Sequence, residues 1–161
     1  MAGSLLRLPF HVPDTVLLVL QGTVVFCSIA ALSAAMERLP SYRSASGLLE
    51  DTMRRIGLTP GWALVLSLTS SLGEELFFRW LLLGVLGLWL PPLLALLAQA
   101  VAFALMHPAP RSAWAYPLWT LLAGLVFGGV ALASGSPAAG ILAHYLFNHL
   151  NFLEVTGRGD P

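Results

Sequence analysis

Glu74, Glu75 and Arg79 stand in the string Glu-Glu-Leu-Phe-Phe-Arg, inside a long apolar run. Ionisable groups in a membrane segment are expensive and mark a functional site by default. On a helix, Glu75 and Arg79 are four apart and can pair. Glu74 lies about 100° round from Glu75, so one arginine need not neutralise both. A stray carboxylate in hydrocarbon must be protonated or partnered. Two further apolar segments offer partners: Phe103 with His107, four apart, and a polar stripe of His144, Asn148 and Asn151. A desolvated carboxylate beside imidazoles can deprotonate water. Histidine and asparagine can donate to the oxyanion formed when that water attacks a peptide carbonyl. One or two carboxylates with two imidazoles (Glu74, His107 and His144, with Glu75 in reserve) could equally ligate zinc with an open water position.

Other chemistry finds less support. The chain has no His-Glu-x-x-His string and no Gly-x-Ser-x-Gly elbow, as read from the sequence. Ser70 and Ser71, one turn before Glu74, read as helix-packing residues. His149 lies off the His144/Asn148 face and reads as structural. His11 falls outside the apolar segments and reads as solvated.

Five apolar segments must position these groups, each near the ~20 residues that cross hydrocarbon. They are Thr15–Met36, Gly61–Leu90, Pro92–His107, Trp114–Ala133 and Pro137–Val155. The second is long enough to require tilting, kinking or division. All must be helical, because unpaired backbone groups are costly in lipid. Between the first two, from Glu37 to Pro60, Leu48, Leu49, Met53, Ile56 and Leu58 interleave with Glu50, Asp51, Arg54 and Arg55. That pattern predicts an amphipathic interfacial helix. Gly84 and Gly87 in the second segment, and Gly124, Gly128 and Gly129 in the fourth, let helices approach closely. The expected fold is all-α: a polytopic helix bundle of about five spans with a four-helix core. Residues 1–60 form an N-terminal region, 61–155 the core and 156–161 a tail.

Composition leaves no other class. Of 161 residues, 57% are hydrophobic and 10% charged, against about 25% charged in a soluble domain. The eight basic residues are all arginine, and no basic run suggests nucleic acid. Cys27, the one cysteine, reads as packing or lipid-facing. The first segment follows Arg7 like a signal peptide but is longer than an h-region, and reads as a retained helix. Placing Arg38, Arg43, Arg54, Arg55, Arg111 and Arg158 inside and only Arg7 outside gives an N-out, C-in orientation.

Together the motifs resemble the CAAX protease and bacteriocin-processing (CPBP) family of intramembrane endopeptidases. Its members carry Glu-Glu-x-x-x-Arg, Phe-x-x-x-His and His-x-x-x-Asn on successive core helices. Here these are Glu74 to Arg79, Phe103 to His107 and His144 to Asn148, spanning about Gly61 to Phe152. The resemblance implies that Glu74 activates water with His107 orienting it, and that His144 and Asn148 hold the oxyanion. It implies that Glu75, Arg79 and Phe103 support the site or contact substrate. It also implies a metal-free glutamate mechanism, with Zn²⁺ as the alternative. The implied partners are the bilayer and a membrane-anchored protein or peptide, such as the C-terminal tail of an exported protein, in a bacterial inner membrane. Trp80 departs from the pattern, since glycine is common there. Two other classes fit the same polar cluster: a small transporter, and a non-proteolytic scaffold or immunity protein.

Overall fold

The computed structural model describes residues 14–157. Arg7, His11 and Arg158 lie outside them, as does most of the tail at 156–161. The described residues are helical nearly throughout. Helix α1 is Thr15–Met36, α2 Pro40–Arg55 and α3 Pro60–Glu75. A π-helical stretch, Leu76–Leu82, continues α3 directly into the short α4, Leu83–Leu86. Then come α5, Pro92–Leu105, a 3₁₀ turn at Arg111–Ala113, α6, Ala115–Ser134, and α7, Ala138–Gly157.

Local chemistry sets these boundaries. Asp14 caps α1 by accepting from the Val16 backbone N–H at 2.9 Å, and Thr59 caps α3 by accepting from Trp62, each satisfying an orphan donor. Pro40, Pro60 and Pro92 begin their helices, where a missing N–H costs nothing. Gly135, with φ +68°, ends α6 in the left-handed region.

α3 packs on α7, α5 on α6, and α1 on both α6 and α7. The core between the last three is Val25, Ile29, Ala123, Phe127 and Ala143. Small residues set how closely α5 approaches α6. A Cβ at Gly124 would meet the Ala100 backbone at 3.1 Å, and one at Gly128 the Gln99 amide at 2.5 Å. Gly129 has open space instead, so it contributes no close approach. Gln99, fully buried, donates to the Gly124 carbonyl at 2.9 Å and ties α5 to α6.

The outward faces are apolar. Val16, Leu20 and Val24 on α1, Trp62, Val65 and Leu68 on α3, and Leu93, Leu94 and Leu97 on α5 are exposed. A surface so continuous in exposed hydrocarbon marks a membrane contact. α1 and α6 are each long and apolar enough to cross a membrane, and Cys27 is exposed on the first.

The continuous run from Pro60 to Leu86 measures about 40 Å at 1.5 Å per residue, well beyond a ~30 Å hydrocarbon core. Its excess length lets Glu74, far along α3, meet the C-terminal end of the shorter α5. α2 lies across the end of the bundle where α1, α5 and α7 finish and α3 and α6 begin. Arg38, Arg43, Arg54, Arg55 and Arg111 gather at that end, with α2 packed on the 3₁₀ turn and on α6. The Tyr42 hydroxyl lies 2.9 Å from Ser33 Oγ on α1. Burial raises the Tyr42 phenol above its usual pKa, against the opposing hydrogen bond to Ser33 and with a smaller push from Glu37. Tyr42 therefore stays protonated, joining α2 to α1.

Candidate active site

Adjacent glutamates at the end of α3 face different surroundings. Glu75 is fully buried and Arg79 is 3% exposed, with Arg79 Nη1 3.1 Å from Glu75 Oε1. That contact pairs the charges without hydrogen-bond alignment, since the guanidinium nitrogens have no well-directed partner among the described residues. Aromatic faces enclose the cation instead. Its central carbon sits 4.2 Å from the Phe103 ring centroid, 5.2 Å from Phe127 and 5.8 Å from Phe78, an arrangement favoured by the ring quadrupole. The π-helical stretch from Leu76 carries Arg79 into this enclosure. The Glu-Glu-Leu-Phe-Phe-Arg string alone gives no sign of it.

Glu75 Oε1 also receives the Nδ1–H of His144 at 3.0 Å. This partner comes from another helix, because α7 packs directly on α3. Gly140 makes room for this carboxylate, since a Cβ there would stand 2.9 Å from Glu75 Oε2.

Glu74 turns the other way, with its side chain 29% exposed. Its Oε2 lies 3.8 Å from His107 Nε2 and 3.9 Å from His144 Nε2. These separations exceed a direct hydrogen bond and suit a bridging water. His107 Nδ1 donates to the Phe103 carbonyl at 2.8 Å. This acceptor is a backbone carbonyl one turn back, where α5 ends just before Pro108. Both Nδ1 atoms are thus committed, and both Nε2 atoms face Glu74. Phe103 also packs on the His107 ring, with centroids 4.5 Å apart.

Asn148 comes to the same place from α7. Its Nδ2 donates to Ser70 Oγ at 3.2 Å, so Ser70 does more than pack helices. His149 faces away, with Nδ1 3.4 Å from Ser67 Oγ and its ring stacked on Tyr145. Asn151 donates to its own helix at the Phe147 carbonyl.

Glu74, His107, His144 and Asn148 line a cavity of about 870 Å³. Tyr116, Trp119 and Phe147 form one wall, stacked in sequence with centroids 6.0 and 5.7 Å apart. α1 and α2 contribute as well, through Ser33, Tyr42 and Met53 among others. No group of three or more His, Cys, Asp or Glu side chains among the described residues is placed to hold a metal.

The family model for type II CAAX prenyl endopeptidase Rce1-like proteins matches residues 56–150, more than half of the chain. The chain belongs to this family. Neither the curated proteins nor the solved structures provide a match. Membership in the CPBP/Rce1-like family carries an intramembrane, protease-type enzymatic function. The matched segment holds all three motifs and leaves out α1 and α2, although both help to line the cavity.

Proposed function

We propose that the protein is an intramembrane endopeptidase in which Glu74 activates the attacking water. The observation that carries this reading is Glu74 Oε2 facing two imidazole Nε2 atoms, at 3.8 and 3.9 Å, inside a cavity large enough for a peptide segment. A water held among these atoms gives its proton to Glu74 as its oxygen attacks the scissile carbonyl. His107, fixed by the Phe103 carbonyl, accepts from that water and aims it. His144, when protonated, offers Nε2–H to the developing oxyanion, and Asn148 supplies an amide N–H beside it. Glu75 sustains the imidazolium from the opposite ring nitrogen. Arg79 pairs with Glu75 in turn. Glu74 then passes its proton to the leaving amine. No metal enters this sequence.

The catalytic core on this reading is α3, α5, α6 and α7 within residues 61–155. Residues 1–60 supply one further span and the interfacial helix α2, making five spans, N-out and C-in. The cavity opens at the end of the bundle that gathers the arginines, so the bond cut lies on the inner side of a bacterial inner membrane. The substrate is a membrane-anchored protein or peptide, cut close to its anchor; a prenylated C-terminus, as in the family's name, and the tail of an exported protein are its two forms.

Purified protein in liposomes, given a pool of lipid-anchored peptides, tests this by mass spectrometry of the products. Site-specific cleavage is expected. Intact peptides at enzyme-equivalent concentrations, with the protein folded, would contradict it.

A further inference from the structure

α3 and α7 run antiparallel and are joined by polar rungs spaced about one turn apart along α3. Ser67 meets His149 at 3.4 Å, Ser70 meets Asn148 at 3.2 Å, and Glu74 and Glu75 meet His144. The middle rung has a direction. The Ser70 hydroxyl donates to the Ser67 carbonyl at 3.3 Å, so its oxygen is left as the acceptor for Asn148 Nδ2. An asparagine amide presents a donor on one side and an acceptor on the other, and the two exchange by a half-turn of its last torsion. Fixing Nδ2 on α3, one turn from Glu74, decides which of them stands on the glutamate's side of the cavity.

We infer that Ser70 is a positioning residue for the hydrolytic reaction: it locks the Asn148 amide with nitrogen, rather than oxygen, toward the Glu74 side of the cavity. This rests on the proteolytic reading above. With one N–H held by Ser70, the second remains for the substrate's developing oxyanion. Without Ser70, the amide turns over in a fraction of molecules and sets Oδ1 against that negative charge. Ser70 accordingly acts through Asn148 and not on the scissile bond.

The experiment uses the full-length protein in liposomes and a lipid-anchored quenched-fluorescent peptide cut by wild type. Loss of one oxyanion donor costs about 10²–10³ in kcat; Ser70→Ala, which leaves Asn148 in place, should lower kcat roughly tenfold, short of that full loss. KM should change less than about twofold. Ser70→Thr should recover most of the loss, because it keeps the hydroxyl. In an Asn148→Ala background, Ser70→Ala should cost nothing further. Ser67→Ala, which breaks the neighbouring rung away from the cavity, serves as the packing control and should leave kcat unchanged. Side-chain ¹⁵N–¹H spectra should show the Asn148 amide protected from exchange in wild type and unprotected in Ser70→Ala. An unchanged kcat in Ser70→Ala, an equal loss in Ser67→Ala or in the Asn148→Ala background, or an unchanged Asn148 amide signal would overturn the inference. Cleavage by Glu74→Gln at the wild-type rate would instead overturn the proteolytic reading beneath it, with the amide spectra still reporting on the Ser70–Asn148 bond.

Discussion

Glu75 accepts the Nδ1–H of His144 at 3.0 Å, while the residue before it, Glu74, faces the opposite nitrogen of the same ring at 3.9 Å. Two neighbouring carboxylates thereby address one imidazole from both sides. One is buried and paired with Arg79, and the other is open to the cavity.

This division of labour sets the cost of removing the buried partner. Glu75→Gln should destabilise the protein by about 3–5 kcal/mol, because it leaves the Arg79 charge buried and unpaired. It should also lower turnover through His144. The double variant Glu75→Gln/Arg79→Met should regain much of the stability and little of the turnover. Thermal unfolding in detergent, read alongside cleavage, separates the two effects.

The motifs were legible because each keeps its members on one helix, where a spacing of four is a contact. Glu75–Arg79 and Phe103–His107 follow from that rule alone, and α1 matches its apolar run from Thr15 to Met36. What one helix cannot report is which partner another helix brings. The acceptor of His144 and the link from Ser70 to Asn148 both depend on the register of α3 against α7. The acceptor of His107 is a backbone carbonyl, which no side-chain pattern encodes. The π-helical stretch at Leu76–Leu82 was also hidden, since its residues are equally at home in an α-helix.

Gly140 tests the packing behind Glu75. Gly140→Ala places a methyl 2.9 Å from Glu75 Oε2, and overpacking of this kind costs about 1–3 kcal/mol. Turnover should fall as Glu75 is pushed from His144. Gly129→Ala meets open space and should leave stability equal or slightly raised, by up to about 1 kcal/mol. Similar losses in both variants would remove the packing argument.

Phe103 carries two duties that a substitution can divide. Phe103→Leu keeps apolar bulk but removes the ring 4.2 Å from the Arg79 guanidinium, a desolvated cation–π contact worth about 2 kcal/mol. The His107 ring also loses a neighbour. Stability and turnover should both decline, while the backbone carbonyl that holds His107 remains. Unfolding midpoints that match wild type would show that the Phe103 ring adds nothing to holding the cation.

Metal dependence has a direct readout. Activity should survive prolonged chelation, and elemental analysis of the purified protein should find no stoichiometric zinc. Recovery of a chelated, inactive enzyme only when a divalent ion is restored would replace the glutamate mechanism and keep the protease.

The most direct test of the central claim is single-turnover cleavage of a lipid-anchored peptide by Glu74→Gln in liposomes, beside wild type at equal folded protein. Glutamine keeps the shape and hydrogen bonding of Glu74 but cannot take a proton from water. General-base assistance contributes about 10²–10⁴ in rate, so a loss in that range is expected with peptide binding intact. A rate within a few-fold of wild type would contradict the assignment of Glu74 as the residue that activates water.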